Sequence, residues 1–236
     1  MIKFKRYYSA LRRYNRSKGF GIHSPFAFNF VLKVLRERNP YYAYDDIHAA
    51  HWEASRLSSA KERKYLISFK YAKMIFRTAC HFNPQAMLQI GTSHGIASKA
   101  LLSVSSSSHL YSYLGINYQR KIYESATTDI AHRITKFDDI ASAIETYNST
   151  LKDTDTPFLL INHIDKGAKL VVETASHAIS NGGVVIVCNI NKNNTIKNSW
   201  GEIKSSMTHG MSFSNDKIGI IVGLKHLPLQ HFSLWF

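Results

Sequence analysis

Apolar residues recur along this chain with two different periods, and the change of period falls near residue 83. Before it the spacing is helical. Phe4, Tyr7, Tyr8, Leu11 and Tyr14 fall on one face of a helical wheel, so residues 1–18 predict an amphipathic helix. Residues 19–23 read as a loop, after which Ser24 caps a helix that carries Pro25 at its first position. Phe26, Phe28, Val31, Leu32 and Leu35 give that helix an apolar side, and Asn39-Pro40 ends it. Further helices are predicted over roughly Asp45 to Leu57 and about Ala60 to Phe82. The second of these holds Tyr65, Leu66, Phe69, Ala72, Ile75 and Phe76 in helical register.

From Ala86 onward, short apolar runs alternate with helix-length segments. Strands are predicted at 86–90, 109–114, 157–162 and 183–188, with a short one within 132–137. Helices are predicted near 95–104, 118–128, 138–150, 167–179 and 195–207. Alternation of this kind builds a mostly parallel sheet with helices on both faces. Met211–Ser214 and Ile218–Leu224 read as a hairpin around Asn215-Asp216-Lys217. The closing HFSLWF, His231 to Phe236, reads as an edge strand or as a segment packed across the helices. The expected organisation is a helical extension over residues 1–82 and an α/β domain over 83–236.

Composition narrows the picture. The chain has 236 residues, of which 44% are hydrophobic, enough for one α/β domain with a sizeable core. Its net charge of +14 is unevenly placed. Residues 1–80 carry 17 Lys and Arg against 5 Asp and Glu, and residues 1–18 hold seven basic residues and no acid. A basic helix with an aromatic stripe suits an anionic partner, either nucleic acid or a membrane surface, although solvated charge is the ordinary fate of such a run. Two cysteines without a CxxC spacing argue against a disulfide framework or zinc ribbon. There is no apolar run of signal-peptide or membrane-spanning type. The expected location is therefore cytoplasmic, with peripheral attachment at the inner membrane face as a variant.

The candidate chemistry centres on AMLQIGTSHGIASKALL, residues 86–102. A strand ends in Gly91, a polar turn follows, and Gly95 opens a helix. This layout brings backbone close to a nucleotide-like ligand in open α/β folds. Thr92 and Ser93 add hydroxyls. Elsewhere, His48 and His51 lie three apart near Asp45 and Glu53 but lack an identifiable third metal ligand, so no metal site is assigned. His23 reads as a loop or capping residue. His163, at a strand end, is the better catalytic candidate by position. No GxSxG elbow supports a serine triad.

GFGIHSPFAFNFVLKVL at 19–35, YYAYDDI at 41–47, LQIGTSHGIAS at 88–98 and the closing HFSLWF together resemble a group of class I S-adenosylmethionine-dependent methyltransferases found in Bacteroidetes. The GIHSPF element at 21–26 is the most specific piece, and the resemblance covers almost the whole chain. It implies a Rossmann-like methyltransferase sheet with an antiparallel last strand. It also implies S-adenosylmethionine as cofactor, lying over the carboxyl ends of the first, second and fourth strands. By that resemblance Gln89, Gly91, Thr92, Ser93, Gly95, Asn117, Asn162 and Asn189 would form the cofactor site. It also implies acids that this chain lacks: Gln89 stands two residues before the turn glycine, Leu114 ends the second strand, Asn162 ends the fourth, and Cys188-Asn189 end the fifth. Asn117 or Asp165 would replace them if the register differs by a residue or two. Trp200 remains in the following helix.

The sulfonium, ammonium and ribose hydroxyls of the cofactor all favour acceptors or negative charge. Each lost charge-assisted hydrogen bond costs about 1.5–3 kcal/mol. The expected activity is a methyltransferase of unnamed acceptor with a weakened cofactor site, in which restored acids at Gln89 and Leu114 strengthen binding. The alternative is a non-catalytic binding or scaffold protein on the same fold, using its basic N-terminal region on an anionic partner.

Overall fold

The computed structural model describes residues 23–63, 66–115 and 119–236. The predicted basic helix over residues 1–18, and with it any anionic partner surface there, lies outside these, as does Asn117.

Ser24 accepts the Ala27 N–H and starts α1 (Pro25–Phe30), which continues through a wider turn at Val31–Leu35 closed by the Arg36 N–H on the Val31 carbonyl. α2 runs over Ala43–Leu57, starting two residues before the expected Asp45. The long helix predicted over Ala60–Phe82 is interrupted. A single turn, α3 (Ala60–Arg63), is held by reciprocal bonds between Ser59 and Glu62, a capping box. Residues 66–68 are not helical, and α4 begins after extended Ser68 and spans Phe69–Phe82. The helical register of Leu66 was misleading for a tertiary reason. The Ile67 N–H donates to the Ser93 hydroxyl instead of to a helix carbonyl, and Ile67 is buried.

The α/β part follows the predicted alternation, with ends shifted by a residue or two. Its elements are β1 (Ala86–Ile90), α5 (Ile96–Leu102), β2 (His109–Tyr113), α6 (Arg120–Thr127), β3 (Ile134–Phe137), α7 (Ile140–Thr150) and β4 (Phe158–Ile161). Then come α8 (Ala168–Ser180), β5 (Val184–Cys188), α9 (Asn194–Ser205), β6 (Met211–Ser214), β7 (Ile218–Val222) and β8 (Gln230–Ser233). Eight strands form one sheet in the order β3-β2-β1-β4-β5-β7-β6-β8. Strands β1 to β5 pair in parallel, β7 enters antiparallel between β5 and β6, and β8 adds to β6 in parallel. Both readings of the closing segment hold in part. Residues 230–233 form the edge strand, and Leu234 and Phe236 turn inward and are buried.

Alternate residues of each strand face opposite sides. Met87, Leu110, Phe158, Leu160, Ile186, Phe213 and Ile220 pack beneath α1, α2, α4, α5 and α6. Leu88, Ile90, Leu159, Ile161, Val185 and Val187 pack beneath α7, α8 and α9. The helices of residues 24–82 thus cover one face of the sheet.

Arg77, buried on α4, joins these helices. It donates to the Val34 carbonyl (2.6 Å), the Leu35 carbonyl (3.2 Å) and the Tyr44 hydroxyl (3.0 Å). Two of these acceptors are the last carbonyls of the Val31–Leu35 turn, which otherwise lack donors at a helix end. Arg77→Met keeps the apolar volume and removes the donors. It is expected to cost about 2 kcal/mol in chemical denaturation.

Candidate functional site

The strand order reverses between β1 and β4, and open α/β sheets hold ligands in the crevice outside the carboxyl ends at that point. Two loops meet there: Gly91–Gly95 after β1 and Asn162–Asp165 after β4. Four of the five residues in the first loop have positive φ: Gly91 (80°), Ser93 (46°), His94 (53°) and Gly95 (90°). For Ser93 and His94 this backbone costs energy that the surroundings must offset. They do so through Glu62 and Ile67. The Ser93 hydroxyl accepts the Ile67 N–H at 3.0 Å, and His94 Nε2 lies 3.3 Å from the Glu62 carbonyl.

Gly91 is required by space as well as by φ. A Cβ there would stand 3.0–3.1 Å from the backbone N, backbone O and Cβ of His163. Its carbonyl accepts two amide donors, Gln89 Nε2 at 2.9 Å and Asn162 Nδ2 at 2.8 Å. Gln89, 0% exposed, spends its other end on the Ser98 hydroxyl (2.8 Å), which also contacts the Tyr123 hydroxyl (3.2 Å). The amide that stands where the resemblance implies an acid is therefore built into the scaffold of the turn. Asn162 keeps one atom in reserve. Its Oδ1 is buried and has no hydrogen-bond partner among the described residues.

A crevice of about 20 Å³ is lined by Gly91, Thr92, Ser93, Asn162, His163 and Asn189, all singled out in the sequence, together with His94, Leu114, Gly115 and Lys192. Gln89 and Gly95 support this crevice from outside it. Leu114 follows β2 and is buried, offering no acceptor. Asp165 reaches the same strand end: its Oδ2 stands 3.4 Å from the Cβ position of Gly115. The Tyr113 hydroxyl donates to Asp165 Oδ1 at 3.0 Å, and burial, then the carboxylate, push that phenol up to about 12. Burial lowers the pKa of His163, and the nearby Lys192 charge acts in the same direction while Asp165 opposes it. His163 is thus largely neutral at pH 7. Burial also lowers His94.

Next to the crevice, sharing Asn189 and Lys192 with it, opens a cavity of about 700 Å³. It lies at the end of β5 and the start of β7, with Cys188, Asn189 and Ile218 on one side, Ile67 and Tyr71 on another, and Trp235 at its edge. Burial pushes the Cys188 thiol up, so it is held as the neutral thiol. Asn189 adopts φ 59° and its carbonyl accepts the Lys192 N–H, which closes the loop that carries Lys192. The sequence reading missed this cavity and Lys192. A polar loop directly after β5, Asn189 to Asn193, was the available signal, since loops at the carboxyl ends of parallel strands carry ligands. Tyr71, Asn215 and Trp235 gave no such signal, because they come together only through the fold.

His48 and His51 pack their rings against Phe69 on α4. His23 is exposed ahead of the Ser24 cap. Among the described residues no helix is long and apolar enough to cross a membrane.

No protein-family model and no curated protein sequence matches the chain. Solved structures share its fold. The O-methyltransferase from Bacillus cereus in complex with SAH is 13% identical, with a TM-score of 0.54 over 83% of this chain and 96% of its own. The O-methyltransferase TomG from Streptomyces achromogenes, in complex with SAM, is 14% identical, with a TM-score of 0.52 over 90% of this chain and 97% of its own. A methyltransferase from Geobacter sulfurreducens is 14% identical, with a TM-score of 0.55 over 76% and 88%. The chain has the Rossmann-like methyltransferase fold.

Proposed function

We propose that the chain is an S-adenosylmethionine-dependent methyltransferase with a reduced cofactor site, whose methyl acceptor occupies the 700 Å³ cavity. The observation that carries this reading is the unpartnered, buried Asn162 Oδ1 at the switch point, beneath a turn whose Gly91 leaves no room for a side chain. A buried acceptor without a donor is costly unless a ligand or water supplies one. The residues fit the cofactor at this atom and at the Asp165 carboxylate beside Gly115. Solved structures of the same fold that hold SAM or SAH support the assignment.

When bound, the cofactor supplies a methyl group on a sulfonium. Asn162 Oδ1 would accept a hydrogen bond from it, Asp165 would offer a carboxylate at the end of β2, and the Gly91 backbone would let it approach closely. His163, neutral at pH 7, would take the proton of the acceptor nucleophile. The rest of the rate would come from holding the acceptor in line. Binding requires the Leu114–Gly115 and His163 sides of the 20 Å³ crevice to part, which subtracts from affinity.

The test is calorimetric titration with S-adenosylmethionine and S-adenosylhomocysteine. Saturable binding of both is expected, and Asn162→Ala is expected to weaken it by about tenfold or more, the loss of one charge-assisted bond. Absence of binding at millimolar cofactor would sink this reading.

A second reading, a non-catalytic methyltransferase-fold binding protein, is favoured by one observation. The Gln89 amide is wholly engaged inside the turn, and no carboxylate lines the crevice itself. That reading gives the basic N-terminal region an anionic partner, nucleic acid or a membrane surface, with affinity that falls steeply with salt.

A further inference from the structure

We propose that the Tyr113–Asp165 hydrogen bond is a clasp that holds the switch-point crevice shut, and that a ligand enters only when it opens. As control of cofactor entry this rests on the methyltransferase reading; as a local opening equilibrium it stands separately.

Strands β2 and β4 flank β1, so the crevice at the end of β1 has a wall from each of them. Leu114 and Gly115 form the wall after β2, and Asn162 and His163 form the wall after β4. Tyr113 immediately precedes the first wall, and Asp165 follows the second by two residues. The phenol reaches across the end of β1 and donates to Asp165 Oδ1 at 3.0 Å, with Oδ2 at 3.2 Å. Both partners also stand against the first wall. Asp165 Oδ2 lies 3.4 Å, and the Tyr113 ring 3.8 Å, from the Cβ position of Gly115.

The crevice so joined is closed. Its volume of about 20 Å³ is room for about one water and for no nucleoside. Yet it lies at the ligand position of the fold and contains the unpartnered Asn162 Oδ1. Backbone bonds tie each strand end to β1: the Gly91 N–H donates to the Tyr113 carbonyl (3.0 Å), and the Asn162 N–H to the Ile90 carbonyl (2.8 Å). These bonds hold the strands in register and leave the loops beyond them to part. The Tyr113 side chain joins one loop directly to the other.

The chemistry of the pair suits a clasp. A hydroxyl bonded to a carboxylate is stronger than a neutral pair, and the buried phenol, pushed up to about 12, remains a donor throughout the neutral range. On the loop side the Lys166 N–H also donates to Asp165 Oδ1 at 2.8 Å, and the Lys166 ammonium lies 5.9 Å from the Tyr113 ring centre. Opening does not strand the carboxylate, which is half-buried and exchanges the phenol for a hydroxyl of water or ligand. The ribose hydroxyls of the cofactor are donors of that kind. Closed and open states are therefore both satisfied, and the clasp sets the balance between them. Apparent affinity falls by the fraction of molecules that are closed.

The experiment combines amide hydrogen exchange with calorimetry on the full chain, using Tyr113→Phe, Asp165→Ala and the double variant. Tyr113→Phe keeps the buried ring, and Asp165→Ala breaks the same bond from the loop side. Exchange at the Leu114, Asn162 and His163 amides is expected to quicken about tenfold in either variant, the worth of one bond to a charged acceptor. Val185 and Ile186, in the middle of β5, should change no more than global stability requires. The double variant should open no further than either single one. S-adenosylhomocysteine is expected to bind Tyr113→Phe about tenfold tighter than wild type. Unchanged exchange at the three amides, or effects that add in the double variant, would overturn the clasp. Equal or weaker S-adenosylhomocysteine binding by Tyr113→Phe would overturn its control of entry. Quickened exchange in a protein that binds no cofactor leaves the clasp and removes the enzyme, and cofactor binding with unchanged exchange does the reverse.

Discussion

Gln89→Glu is expected to destabilise the protein by about 3–5 kcal/mol at neutral pH, the range for a buried charge left without a partner. It is not expected to strengthen cofactor binding. From the sequence alone an acid here looks like a restored ligand group. The structure reverses that expectation, because the amide nitrogen at this position donates to the Gly91 carbonyl at 2.9 Å. A glutamate would set a carboxylate oxygen against that carbonyl, at a site with no exposure to water. The Ser98 hydroxyl on the other oxygen offsets only part of the cost. The buried acid titrates above its unfolded value of about 4.3, so the folded state binds the extra proton. Stability then falls as pH rises from near that value. Melting curves of Gln89→Glu should approach the wild type in mild acid and diverge from it towards pH 8. A variant as stable as wild type at pH 8, with tighter cofactor binding, would show that Gln89 faces the ligand after all.

Trp200→Ala is expected to cost about 3–5 kcal/mol, as for other large aromatic truncations in a core, while leaving cofactor affinity per folded molecule unchanged. The resemblance placed Trp200 among the surviving features of a cofactor-site pattern. In the fold it sits on α9, 7% exposed, on the sheet face opposite α4 to α6. Its ring lies flat on Gly219 of β7, where a Cβ would stand 2.4–2.8 Å from three ring carbons. Glycine and tryptophan are therefore a matched pair, one supplying the gap that the other fills. Gly219→Ala should itself destabilise the protein, and should cost less when combined with Trp200→Leu than alone. Denaturation of the two single variants and the double variant measures this coupling. Additive losses would refute the pairing, and loss of cofactor binding in a fully stable Trp200→Ala would move the ring to the site.

Much of this architecture is written in local pattern. Short apolar runs bounded by glycine and polar turns make β1, β2, β4 and β5, and the helical spacings between them make α5 to α8. Ser24-Pro25 starts α1 by capping chemistry that involves only neighbouring residues. Even the closing HFSLWF showed both its strand and its inward-packed end. The interruption between α3 and α4 was not legible, because Leu66 and Phe69 keep helical spacing and the competing donor–acceptor pair, Ile67 with Ser93, is separated by 26 residues.

The candidate site divides in the same way. That Gly91 opens the turn after β1, and that Asn162, His163 and Asn189 end neighbouring strands, followed from element order, since parallel strands present their carboxyl ends together. The sequence also shows that Gln89, Leu114, Asn162 and Asn189 carry no charge. Only the tertiary structure decided what these residues do. Gln89 is tied into the turn, and Asp165 meets the end of β2 through Tyr113. Trp200 fills the space over Gly219, and Lys192, Lys217, Tyr71 and Trp235 converge on one cavity. Backbone periodicity is a property of neighbours along the chain, and one sequence can display it. Hydrogen-bond partners and charge clusters are fixed by residues far apart in sequence, and only the folded sheet brings those within reach.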